Sequence, residues 1–101
     1  MSPPSGLVVP AERIAELCRR YRVRELLVFG SASRGEMGPD SDIDLLVDFQ
    51  PDAEIGLFEF ARMEMELAEL FGRRVDLVSK RGLRPRIRPH VLGDAKLLYA
   101  A

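Results

Sequence analysis

The chain has 101 residues, enough for one small domain with a modest core. A hydrophobic fraction of 47% excludes a disordered chain, and a formal charge of −1 excludes a protein that grips nucleic acid through bulk charge. The single cysteine, Cys18, excludes an intrachain disulfide and points to a cytoplasmic setting, and no stretch is long and apolar enough to span a membrane.

Residues 1–9 read as a flexible start, punctuated by Pro3, Pro4 and Gly6, without the positive segment of a secretory signal. Residues 10–101 read as a single domain. Pro10 is placed to open a helix running to Tyr21. Ile14, Leu17, Cys18 and Tyr21 recur there at helical spacing, and Glu12, Arg13, Glu16, Arg19 and Arg20 occupy the other face. Cys18 on the apolar face reads as a core residue. The apolar run 26–29 reads as a strand bordered by solvated Arg22 and Arg24, ending in Gly30-Ser31. A short helix over 31–34 and a loop with Gly35, Gly38 and Pro39 lead to Ser41-Asp42-Ile43-Asp44 and a second apolar strand that ends at Phe49.

After a polar turn over 50–54, residues 56–71 carry the longest helical pattern. Leu57, Phe60, Ala61, Glu64, Leu67, Ala68 and Phe71 trace its apolar face, interrupted by one glutamate. Met63 and Met65 read as filling core or partner surface, and Gly72 ends the helix. A third strand over 73–80 places Asp76 on the face opposite Val75 and Leu77. Lys80, Arg81, Arg84, Arg86 and Arg88 then form a basic run. It reads equally as a solvated, proline-punctuated loop or as a contact for triphosphate, RNA or an acidic partner. No aromatic residue interleaves it, which argues against single-stranded nucleic acid. A short helix over 89–92, carrying a surface His90, precedes a last strand in which Ala95, Leu97 and Tyr99 alternate at a sheet edge.

The chemistry concentrates between the first two strands. Alternation along the second strand points Asp42 and Asp44 to one face and Ile43, Leu45, Val47 and Phe49 to the other. Two carboxylates so placed repel each other unless a cation lies between them, and hard oxygen ligands favour Mg²⁺ or Mn²⁺. Gly30-Ser31, directly after a strand, offers a close backbone approach, N–H groups and a hydroxyl to a phosphate. Asp48 shares the parity of Asp44 but reads as an exposed residue near the strand end. Two look-alikes fail. Asp40, Asp42 and Asp44 mimic the start of a calcium loop, but Leu45 and Pro51 stand where it needs Gly and Glu. A Walker A loop needs a lysine, and none precedes Lys80.

A strand, Gly30-Ser31, a spacer and Asp42-x-Asp44 in an apolar strand together resemble the nucleotidyltransferase signature of the DNA polymerase β superfamily. The wording Gly-Ser-x-x-Arg-Gly, then Ser-Asp-Ile-Asp-Leu, resembles its minimal nucleotidyltransferases, often antitoxins to helical ribonuclease toxins of the HEPN class. The resemblance implies an α+β, two-layer fold, a small mixed β-sheet with helices packed on one face. It implies that Asp42, Asp44 and Asp76 ligate two Mg²⁺ ions, with Mn²⁺ an alternative, and that ATP is the substrate. Gly30, Ser31 and Arg34 would contact the nucleotide. The residues alone leave Arg34 equally suited to pairing with Glu36, and leave Asp76 open to an ordinary ion pair with Arg73 or Arg74. The implied activity is AMP transfer to a tyrosine hydroxyl of a HEPN-type toxin. Two alternatives stand beside it: an antitoxin that neutralises by binding alone, through the basic run and exposed apolar side chains, and a small-molecule nucleotidyltransferase. The chain is too short for the second helical domain of larger transferases, so a protein acceptor or a homo-oligomer is expected to complete the cleft.

Overall fold

In the computed structural model, residues 10–30, 42–80 and 95–101 are described. Their order is α1 (Ala11–Arg20), β1 (Val23–Phe29), β2 (Ile43–Phe49), α2 (Leu57–Phe71), β3 (Val75–Ser79) and β4 (Lys96–Ala100). The strands form one sheet in the order β3-β2-β1-β4. β1 runs antiparallel to both β2 and β4, whereas β2 and β3 are parallel, so the sheet is mixed. The β2–β3 connection carries α2, as a parallel crossover requires.

The core lies between the helices and one face of the sheet. Ile14, Leu17 and Cys18 of α1 and Met63 and Leu67 of α2 meet Leu26 and Val28 of β1, Ile43, Leu45 and Val47 of β2 and Leu77 of β3. The alternation expected of β2 therefore holds, with Phe49 also packed against this cluster. Phe49 meets Phe60 edge to face, with ring centroids 6.3 Å apart. Tyr21 ties α1 to α2 by donating its hydroxyl proton to Glu66, whose other oxygen is 3.1 Å from the Arg20 guanidinium. Gly72 closes α2 in the left-handed region, φ 66°.

Four details differ from the sequence reading. β1 begins at Val23 rather than at residue 26, because pairing with β2 carries the strand back through polar residues to Val23↔Phe49. Arg24 thus lies within the strand, while Arg22 turns at φ 56° and pairs with Asp52. The buried stripe of α2 is rotated from the expected one: Phe60, Met63, Leu67, Leu70 and Phe71 face inward, Ala61 is exposed and Leu57 is 83% exposed. Met63 fills the core and Met65 does not. In β4 the register slips between Leu26↔Tyr99 and Leu27↔Leu97, so Leu98 and Tyr99 both pack inward and Leu97 is left outside. A bulge of this kind breaks the simple alternation. The short helices expected over 31–34 and 89–92, the flexible 1–9 segment and most of the basic run fall outside the described residues.

Candidate active site

On the face of the sheet away from the helices, β2 carries Asp44 and β3 carries Asp76. Parallel pairing sets the two directly in register, Asp44↔Asp76, one strand apart. Asp42 lies just before β2, two residues from Asp44 and of the same parity. The Ile43 N–H between them donates to the Arg74 carbonyl at 2.9 Å, which fixes the start of β2 against the entry to β3. The topology thus gathers acids separated by more than thirty residues in the chain at one end of two neighbouring strands.

Gly30 completes this end of the sheet. It follows β1, whose last residue, Phe29, pairs with Asp44. A Cβ at residue 30 would lie 2.6 Å from the Asp44 Oδ2, well inside any real contact. The backbone there is also left-handed, φ 72°. Glycine is therefore required twice over, once by conformation and once by the carboxylate it leaves room for. Ser31 and Arg34, the other expected nucleotide contacts, lie outside the described residues.

Around Asp44 like charge predominates. Burial pushes the Asp44 carboxyl above the usual carboxylate range, and Asp76 and then Asp42 push it further. The Arg74 Nε is 3.1 Å from the Asp42 Oδ1, in a pair exposed to water on both sides. Such a pair is weak and readily exchanged. Among the described residues no three acids are gathered tightly enough to hold an ion without rearrangement. The donor set is nonetheless all carboxylate, and the shared repulsion on Asp44 is the kind that Mg²⁺ or Mn²⁺ offsets.

Residues 12–98 match the nucleotidyltransferase domain family. The chain belongs to that family. As a nucleotidyltransferase it is similar to the protein adenylyltransferase MntA of Thermococcus cleftensis, 50% identical over 80 residues that cover 78% of each chain. Its fold is similar to that of a candidate minimal nucleotidyltransferase, 45% identical, with a TM-score of 0.73 over 85% of this chain and 86% of the other. It is also similar in fold to a chain from the complex of tri-AMPylated Shewanella oneidensis HEPN toxin with its MNT antitoxin. That likeness has 22% identity and a TM-score of 0.65, covering 90% of this chain and 70% of that one. The α+β architecture with both helices on one face of a mixed sheet agrees with these folds. Among the described residues no helix is long and apolar enough to cross a membrane.

Glu64, the glutamate that interrupts the apolar face of α2, accepts a hydrogen bond from the Leu77 N–H at 2.9 Å. The interruption signalled a polar partner in the sheet, but only the placement of α2 over β3 identifies it.

Proposed function

We propose that this nucleotidyltransferase transfers AMP from ATP to a hydroxyl, a tyrosine in the first instance, of a HEPN-type toxin that it thereby neutralises. The observation that carries the reading is the in-register Asp44–Asp76 pair with Gly30 cleared against the Asp44 carboxylate. Similarity to a protein adenylyltransferase and to a complex of an AMPylated toxin with its antitoxin supports both the transferred group and the acceptor. The buried lone cysteine is consistent with a cytoplasmic location.

In this reading Asp42, Asp44 and Asp76 would hold Mg²⁺, with Mn²⁺ as a substitute. When bound, the metal offsets charge on the triphosphate and lowers the pKa of the attacking hydroxyl. Gly30 lets the chain approach the phosphates without a side chain between them and the acids, and Ser31 and Arg34 supply further phosphate contacts. The acceptor oxygen attacks the α-phosphorus in line. A new P–O bond forms, the bond to the bridging oxygen of the β-phosphate breaks, and pyrophosphate leaves. The acceptor proton passes to the acidic cluster. To join the other two acids, Asp42 would give up its exposed contact with Arg74.

The test uses ATP labelled on the α-phosphate and, in parallel, on the γ-phosphate, with Mg²⁺ and the purified partner toxin, and with the Asp42→Asn variant alongside. Label on the toxin from the α-form alone, lost in the variant, is the expected result. A toxin that binds and is neutralised without label would replace transfer with neutralisation by binding.

A further inference from the structure

β3 is a five-residue strand whose described ladder partner is β2 alone, so one side of it faces outward from the sheet. Backbone donors on such an edge have no strand to bond, and a short edge strand is prone to fraying. On this edge the Leu77 N–H is held by Glu64 of α2 at 2.9 Å. Leu77 itself is 5% exposed, with its side chain in the core. Glu64 is half-buried on a helix face that otherwise presents Phe60, Met63, Leu67 and Phe71 to the fold. A charged acceptor among apolar neighbours costs desolvation, so its return has to lie in the bond it makes.

The bonded N–H belongs to the peptide unit joining Asp76 to Leu77. Fixing that plane restricts the backbone torsion that follows the Asp76 Cα, and hence the direction of its carboxylate. Asp76 is the β3 residue set opposite Asp44. We propose that Glu64 is a positioning residue for the acidic site: from the far side of the sheet, it locks the peptide after Asp76 and so holds Asp76 in register with Asp44. The inference rests on the reading of Asp76 as a metal-facing acid. It assigns Glu64 no contact with metal or substrate, only control of where the third carboxylate points.

The acceptor and the charge of Glu64 can be separated. Glu64→Gln removes the charge and keeps an oxygen at the same reach. Glu64→Asp keeps the charge and withdraws the oxygen by one methylene. Glu64→Ala removes both. Two measurements are made on the full chain: exchange of the Leu77 amide by NMR without metal, and Mn²⁺ affinity by calorimetry without nucleotide. Glu64→Ala and Glu64→Asp are expected to speed Leu77 exchange and weaken Mn²⁺ binding about tenfold, the scale on which supporting partners of a ligand act. Glu64→Gln is expected to stay within about twofold of the parent in both. If the alanine variant fails to fold, the Asp and Gln pair carries the test. Faster exchange with unchanged Mn²⁺ affinity would reduce Glu64 to an edge cap and overturn the inference, as would unchanged exchange in Glu64→Asp. Asp76→Asn is measured beside them. Parent-like Mn²⁺ affinity in that variant would instead overturn the reading of Asp76, a failure distinguishable from that of Glu64.

Discussion

The two faces of β2 are made from one heptapeptide and obey opposite rules. Ile43, Leu45 and Val47 face the helices and are fully buried in apolar contact. Asp44 faces the other way, half-buried beside two further acids that raise its proton affinity. The core face is arranged for the stability of the chain by itself. The acid face carries like charges set in register across parallel strands, which lower stability unless a cation joins them, as the proposed function requires. The alternation of a strand is what lets seven residues serve both ends.

The comparison breaks most severely on the acid face. Asp44→Asn is expected to reduce nucleotidyl transfer by about a thousandfold or more, the order expected when a metal's contribution to the transition state is lost. Steady-state label transfer to the toxin reads this, and the far-UV spectrum is expected to stay that of the parent. Leu45→Ala, one residue along on the core face, is expected to do the reverse. It should cost about 2–5 kcal/mol in denaturant unfolding, while transfer by the molecules still folded persists. Such opposite outcomes at adjacent positions would establish the division of labour. Gly30→Ala sharpens it, since this glycine serves the acid face through the backbone. The left-handed backbone costs about 1–2 kcal/mol for a residue with a Cβ, and the clash with the Asp44 carboxylate must be relieved by moving the acid. Reduced transfer should therefore accompany a modest fall in urea midpoint.

The smallest effect concerns protons on the core side. Burial pushes the Cys18 thiol from 9.0 to about 12, with Arg19 drawing it slightly back. A folded pKa above the unfolded one means the folded state keeps its proton longer. The contribution of Cys18 to stability is then complete below about pH 9 and is lost as pH rises toward 12. Tyr21 follows one unit later, raised from 10.0 to about 12 by burial first and then by its bond to Glu66. Urea midpoints at pH 8, 9 and 10 are expected to decline for the parent and to decline less for Cys18→Ala. Equal slopes would contradict the assignment of Cys18 to the dry interior.

These contrasts also explain what could be read from residues in advance. The two faces of β2 and the acid pair on one of them follow from period-two alternation, which is local. The face of β3 that carries Asp76 follows for the same reason, but its register with Asp44 is a property of strand pairing, which no single strand encodes. Arg74 is an example: it precedes β3 and pairs with Asp42, because parallel pairing brings the two strand entries together. The inward stripe of α2 was rotated because Leu57 and Ala61 fit a helical repeat as well as Met63 does, and only docking chooses among them. The β4 bulge was hidden because Leu97, Leu98 and Tyr99 are all hydrophobic, so composition cannot reveal a skipped residue.

If the proposed site is right, its acids lower the stability of the metal-free protein and a divalent cation restores it. Thermal unfolding of the parent and of Asp44→Asn, each in chelator and in excess Mg²⁺, tests it directly. Because the folded carboxyl of Asp44 is raised, its ionised form weakens the fold at neutral pH, so the asparagine variant should melt higher than the parent in chelator. Mg²⁺ should then raise the parent and leave the variant nearly unmoved, since a ligand stabilises only the state that binds it. A variant that melts at or below the parent in chelator, with both indifferent to Mg²⁺, would contradict the claim.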